Sequence, residues 1–209
     1  MALVEIRELK PANYLGVWKI EESEEFFTEN LLLDDEENEF LDGIKAQGRR
    51  LQWLASRLLI RKIINPAGQI LMDWDSFGKP IIINYDFKVS ISHCTDMVAV
   101  VVGDTKSGID VEKRDRKVER IAKKFVREDE FAFVEDRIHT DYYITIWAAK
   151  ETMFKYYGGG GIDFKEHMKV YPFKMAEEGD FDMEFRKGTS ELLKISYEWV
   201  DGHILTYCL

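Results

Sequence analysis

Apolar positions recur along the chain with two different periods. In "KAQGRRLQWLASRLLIRK" (45–62), Leu51, Leu54 and Leu58 fall near helical spacing, which predicts an amphipathic helix. Turn-forming stretches follow, "NPAGQ" at 65–69 and "DSFGKP" at 75–80. Beyond them come the short β-branched runs "IIINY", "KVSIS" and "MVAVVVG", with "GIDVE" (108–112) as the next strand. Residues 118–137 return to helical composition. A further helix is predicted from about Asp141 to Tyr157, with Asp141 as N-cap and the "GGGG" of 158–161 as its stop. The tail alternates again, in "HMKVYPFKM", "FDMEFRK", "LLKISYEWV" and "HILTYCL". Strands with a helix in each part predict an α+β fold of two similar halves, residues 1–105 and 106–209.

Composition narrows the function classes. With 209 residues, 45% of them hydrophobic, the chain can bury a substantial core. The first twenty residues lack the basic start and apolar block of a secretory signal, and no stretch approaches the length of a membrane span. A cytoplasmic protein without a membrane partner is expected. Cys94 and Cys208 lack metal-site spacing, so both are expected to be reduced thiols. A formal charge of −10 argues against sequence-independent nucleic-acid binding. The charge is unevenly spread: residues 21–42 are strongly acidic, while 45–62 carry Lys45, Arg49, Arg50, Arg57, Arg61 and Lys62. That basic run is a candidate anion site, and a solvated helix face also accounts for it.

Candidate chemistry centres on two acids. Asp110 and Glu112 lie two apart on the predicted strand and so share a face. Such carboxylates repel unless exposed, protonated or bridged by a cation. Mg²⁺ commonly takes one or two protein carboxylates together with phosphate oxygens. As an isolated pattern, an exposed strand edge is the simpler account. On the later helix, Trp147, Glu151 and Lys155 recur at i, i+4 and i+8, with Lys150 beside the stripe. An ordinary Glu–Lys surface pair explains the last two about as well. His93 ends an apolar strand, where a lone histidine is more often structural than catalytic.

In sequence, spacing and order, "FGKP" (77–80), "SISH" (90–93), "GIDVE" (108–112) and "WAAKETMFK" (147–155) resemble the 4′-phosphopantetheinyl transferase superfamily. The chain length is similar to that of its surfactin-synthetase-activating, pseudodimeric type. The resemblance implies two similar α+β halves and a holo-[acyl-carrier-protein] synthase type of transfer. In that reaction the phosphopantetheine arm of coenzyme A moves to a serine of an apo carrier protein, releasing adenosine 3′,5′-bisphosphate. It also implies Mg²⁺, or Mn²⁺, held by Asp110, Glu112 and Glu151. Glu151 would double as the base, with Lys155 and Asp110 completing the catalytic set. Arg50, Arg57, Lys79 with its neighbour Pro80, and His93 would contact the phosphates or ribose of the cofactor, with Arg49 competing for the place of Arg50. Lys150 and Lys155 would lie near the pyrophosphate, and Trp147 is read as packing.

The carrier protein is expected to dock around Phe125, Phe131 and Phe133 with Lys123, Lys124 and Arg127, although core packing explains the phenylalanines equally. Two fused halves make a monomer the expected state. A catalytically weak module binding coenzyme A or a carrier protein, and a metal-dependent phosphohydrolase, are the alternative functions.

Overall fold

The computed structural model describes residues 3–114 and 117–209. Residues up to Lys106 form one compact unit, and Ser107–Leu209 form a second.

The first unit contains strands β1 (Leu3–Lys10), β2 (Asn13–Lys19), β3 (Met72–Trp74), β4 (Pro80–Ile82), β5 (Lys88–Cys94) and β6 (Met97–Gly103), with helices α1 (Glu24–Glu29), α2 (Asp35–Gly43) and α3 (Gln47–Ile64). Four strands make an antiparallel sheet in the order β1-β2-β6-β5, and β3 pairs with β4 as a separate hairpin. The unbroken apolar run of β6 is buried along its whole length, as suits a central strand. The leucine stripe of α3 packs on this sheet, and Leu54, Leu58 and Leu59 join Val98, Val100 and Val102 in one core. The acidic stretch supplies α1 and α2, both with acids in the first turn, where the helix dipole favours negative charge. Asp34 caps α2 by accepting from the backbone N–H of Glu37 at 2.8 Å.

In the second unit, β7 (Gly108–Lys113) is followed by α4 (Ala122–Phe125), α5 (Glu128–Phe131), α6 (His139–Tyr157), α7 (Phe164–His167), β8 (Met168–Val170), β9 (Glu178–Lys187), β10 (Thr189–Val200) and β11 (His203–Cys208). The strands form one antiparallel sheet in the order β7-β11-β10-β9-β8, with α6 laid across β7 and β11. Thr152 of α6 donates to the backbone carbonyl of Thr206 at 3.0 Å. Helix α6 ends at Gly158, whose φ of 64° suits the left-handed stop foreseen for the glycine run.

Two element expectations are corrected. Helix α6 starts at His139, and Asp141 lies inside its first turn rather than capping it. The Asp141 carboxylate instead accepts from Arg114 at 2.9 and 2.5 Å. Residues 118–137 form no continuous helix but two short helices and single 3₁₀ turns. Tertiary demands win there: Val118, Phe125 and Val126 are core residues, and the Phe125 carbonyl accepts from Lys150 instead of extending a helix.

Candidate active site

The face of β7 beneath α6 carries Gly108, Asp110 and Glu112 in alternation. A Cβ on Gly108 would run into the backbone oxygen of Thr152, so only glycine lets the helix approach this closely. That close approach brings the helix stripe onto the acids. Lys155 Nζ donates to Asp110 Oδ1 at 2.7 Å, and Trp147 Nε1 donates to Glu112 Oε1 at 2.8 Å. Glu151 lies on α6 between these two donors and is half-buried. Asp110 is 4% exposed and Glu112 6%, which removes the solvated-edge reading even though β7 is the edge strand of its sheet.

The donor set fits a hard divalent cation: two buried carboxylates on one strand face, where a like-charged pair is costly without positive charge. Only part of the expected three-acid set is gathered. Among the described residues no group of three histidine, cysteine, aspartate or glutamate side chains is placed to hold a metal ion. Asp110 and Glu112 are instead engaged with donors from α6.

In the first unit, a cavity of about 550 Å³ opens beside the first turn of α3, lined among others by Lys45, Ala46, Arg49, Arg57, Pro80 and His93. No side chain caps that turn and no acid occupies it, an arrangement that favours an anion. Arg49 Nη1 lies 3.2 and 3.1 Å from the two ring nitrogens of His93. Lys79 sits between the lining residues Gly78 and Pro80. The other wall is aromatic: Arg57 lies 3.6 Å over the Trp53 ring, Phe40 stacks on Trp53, and Trp74 leans on Phe40. Burial pushes the Arg57 pKa down to about 10, with the Glu37 carboxylate at 3.2 Å opposing the shift.

Residues 106–208 match the sequence profile of the 4′-phosphopantetheinyl transferase superfamily. The chain belongs to that superfamily. It is 29% identical over 115 residues to the 4′-phosphopantetheinyl transferase gsp of Aneurinibacillus migulanus, a match covering 51% of this chain and 48% of that protein. It is 26% identical over 149 residues to a 4′-phosphopantetheinyl transferase of Bacillus subtilis, covering 69% of this chain and 65% of the relative. With the 4′-phosphopantetheinyl transferase Sfp of Bacillus subtilis strain 168 it shares 26% over 164 residues, or 74% and 72% of the two chains. The chain thus spans about half the length of the first of these relatives.

Set against the superfamily expectation, the sites divide. Asp110, Glu112, Trp147 and Lys155 converge in the second unit, and Arg57, Pro80 and His93 border one cavity in the first. Arg50 does not line that cavity. It holds Glu24 in a two-pronged pair at 2.9 and 2.5 Å and also donates to the carbonyls of Leu41 and Ile44. Those bonds hold the Glu24 carboxyl below the usual carboxylate range. Arg49 takes the cavity position, because a step of one residue turns a helical side chain by about 100°.

Lys150 is likewise corrected. It is fully buried and donates to Phe125, Glu130, Phe164 and Met168, so it knits the interior and is not available to a cofactor. The proposed docking phenylalanines change as well, since Phe125 is 2% exposed core, Phe131 and Phe133 are half-buried, and only Lys123 and Lys124 of that set are exposed. Sequence reasoning missed Phe40 and Trp74, whose isolated spacing carries no signal until the chain folds.

Proposed function

We propose that this protein transfers the 4′-phosphopantetheine of coenzyme A to a serine of an apo carrier protein; its relatives are named 4′-phosphopantetheinyl transferases. The observation that carries the reading is the buried acid pair of β7 met by Lys155 and Trp147 of α6. Asp110 and Glu112, with Glu151, would hold Mg²⁺, which when bound would supply charge neutralisation for a pyrophosphate. The remaining work falls to the chain. Lys155, which donates to Asp110, would neutralise a phosphate oxygen. Arg49, Lys45 and His93, with the first turn of α3, hold the 3′-phosphate, and Arg57 and Lys79 flank it.

The serine oxygen attacks the phosphorus that bears the pantetheine arm. A new P–O bond forms, the bond to the adenosine phosphate breaks, and adenosine 3′,5′-bisphosphate leaves. Glu151 receives the serine proton. Two roles compete in that residue, because a tightly ligated carboxylate is a poor base. The half-exposed Glu151 suits the base role better than the two buried acids. The protein acts as a cytoplasmic monomer, and a concentration-independent dimer mass in solution would contradict that.

Incubating the protein with coenzyme A, Mg²⁺ and an apo carrier protein, then weighing the carrier, tests the reading. A phosphopantetheine mass gain is expected. Phosphate release without the gain indicates a hydrolase, and binding alone a non-catalytic module. Glu151→Gln should retain coenzyme A binding yet lose turnover by roughly 10²–10⁴-fold. Full recovery of that variant at high metal concentration would make Glu151 a ligand only.

A further inference from the structure

We propose that the cavity between α2 and the β3–β4 hairpin binds a small organic ammonium ion with an apolar body, of the arylalkylamine class. Nothing in this site depends on the transferase reading.

The cavity, of about 450 Å³, has the size of a small-ligand pocket. Leu71, Met72 and Ile83 make part of it apolar, and its wall is aromatic. Phe40 lies 5.6 Å from Trp53 and 5.3 Å from Trp74 between ring centroids, with interplanar angles of 27° and 32°. Trp74 is 46% exposed and Phe40 43%, so both rings of this wall still meet solvent. Such a grouped apolar surface suits the body of a ligand.

Charge decides the sign of that ligand. Asp34, Glu36, Glu37 and Asp73 line the cavity against one base, Arg57. Glu37 answers Arg57 at 3.2 Å, while Asp34 accepts from the first turn of α2 and from Gln69 at 3.0 Å. Glu36 and Asp73 are exposed, and among the described residues neither has a cationic partner. Asp73 accepts the backbone N–H of Trp74 at 2.7 Å, which leaves its charge in place. The wall already holds one organic cation, because the Arg57 guanidinium lies 3.6 Å over the Trp53 ring with the Glu37 carboxylate beside it. Trp74 and Phe40 with Asp73 and Glu36 offer the same pairing of ring and acid where it faces solvent. The neighbouring cavity at the first turn of α3 shares this wall, but Lys45, Arg49 and His93 give it the opposite preference.

Phenethylammonium and the uncharged phenethyl alcohol, titrated against the whole protein and followed by the indole N–H resonances of its five tryptophans, test the site. The ammonium should saturate, shift the Trp53 and Trp74 signals most, and bind about ten-fold or more tighter than the alcohol. That preference should shrink between about 0.01 M and about 1 M salt, as the screening length falls from about 30 Å to about 3 Å. Trp74→Leu keeps apolar bulk but removes the ring face, and should weaken the ammonium about three-fold or more. Glu36→Gln combined with Asp73→Asn should bring ammonium and alcohol to within about two-fold of each other, with an unchanged circular dichroism spectrum. No saturable binding, an ammonium bound no tighter than the alcohol by wild type, or full affinity in both variants overturns the assignment. Saturation by a basic apolar peptide but not by the amine overturns it in favour of a protein partner.

Discussion

Arg49 and Arg50 are adjacent and chemically identical, yet their surroundings differ in sign. Arg50 meets Glu24 and two backbone carbonyls, so its charge is answered within the protein. Arg49 meets His93 and borders a cavity lined also by Lys45, by Arg57, which is paired with Glu37, and by one acid, Asp73, so basic side chains outnumber acids there and an anion is favoured. Arg49→Ala should therefore weaken coenzyme A binding by about 1.5–3 kcal/mol, roughly ten-fold or more, with little change in melting temperature. Arg50→Ala should do the reverse, lowering the melting temperature by about 2–4 °C or more because Glu24 is left beside α3 without its partner. Isothermal titration and thermal denaturation of the two variants decide between them. Equal losses of affinity would mean that both arginines serve the cofactor. Sequence alone could not rank the pair, because the acid that claims Arg50 lies twenty-six residues upstream.

At the scale of elements, β7 and α6 function as one piece, and Gly108 sets their spacing. Gly108→Ala drives a methyl group into the backbone oxygen of Thr152, which no rotamer change relieves. The variant should lose about 3 kcal/mol or more of stability in denaturant unfolding, and its Mn²⁺ affinity should fall as Trp147 and Lys155 shift off the acids. Stability within about 0.5 kcal/mol of wild type would mean that the helix lies farther from the strand. These two elements are legible in the sequence because each is long, periodic and closed by its own signals. A β-branched run flanks "GIDVE", and glycine ends the helix. Residues 118–137 are not legible in this way. Their composition is helical, but Val118, Phe125 and Val126 must all reach one core, and the buried Lys150 and Glu130 capture the Phe125 carbonyl and the Arg127 N–H, backbone groups that a continuous helix would use. Long-range capture leaves no periodic trace. The same holds for Lys150 itself, which the motif presents as a ligand and the interior takes as a strut.

For the whole molecule, the net charge traces to a single segment. Residues 21–42 carry eleven acids and no lysine or arginine, so the rest of the chain is close to neutral. Two of those acids, Glu24 and Glu37, are consumed by Arg50 and Arg57 of α3. Asp35, Glu36 and Glu39 remain exposed on α2 and project a negative field into solvent. On the proposed function, an acidic carrier protein would meet that field as repulsion. Neutralising the three together, as Asp35→Asn, Glu36→Gln and Glu39→Gln, should lower the apparent KM for carrier several-fold at low salt while leaving kcat unchanged. The advantage should vanish toward 1 M salt, where the screening length of about 3 Å is shorter than the distance over which such a field acts. Melting temperature should hardly move, since none of the three is tied to α3, whereas Glu37→Gln should destabilise by leaving the mostly buried Arg57 without its counter-charge. Steady-state kinetics across a salt series separates the outcomes. A KM that does not respond to the triple substitution at any ionic strength would mean that α2 lies outside the approach path of the carrier, leaving its acids to helix capping and to the two arginine pairs.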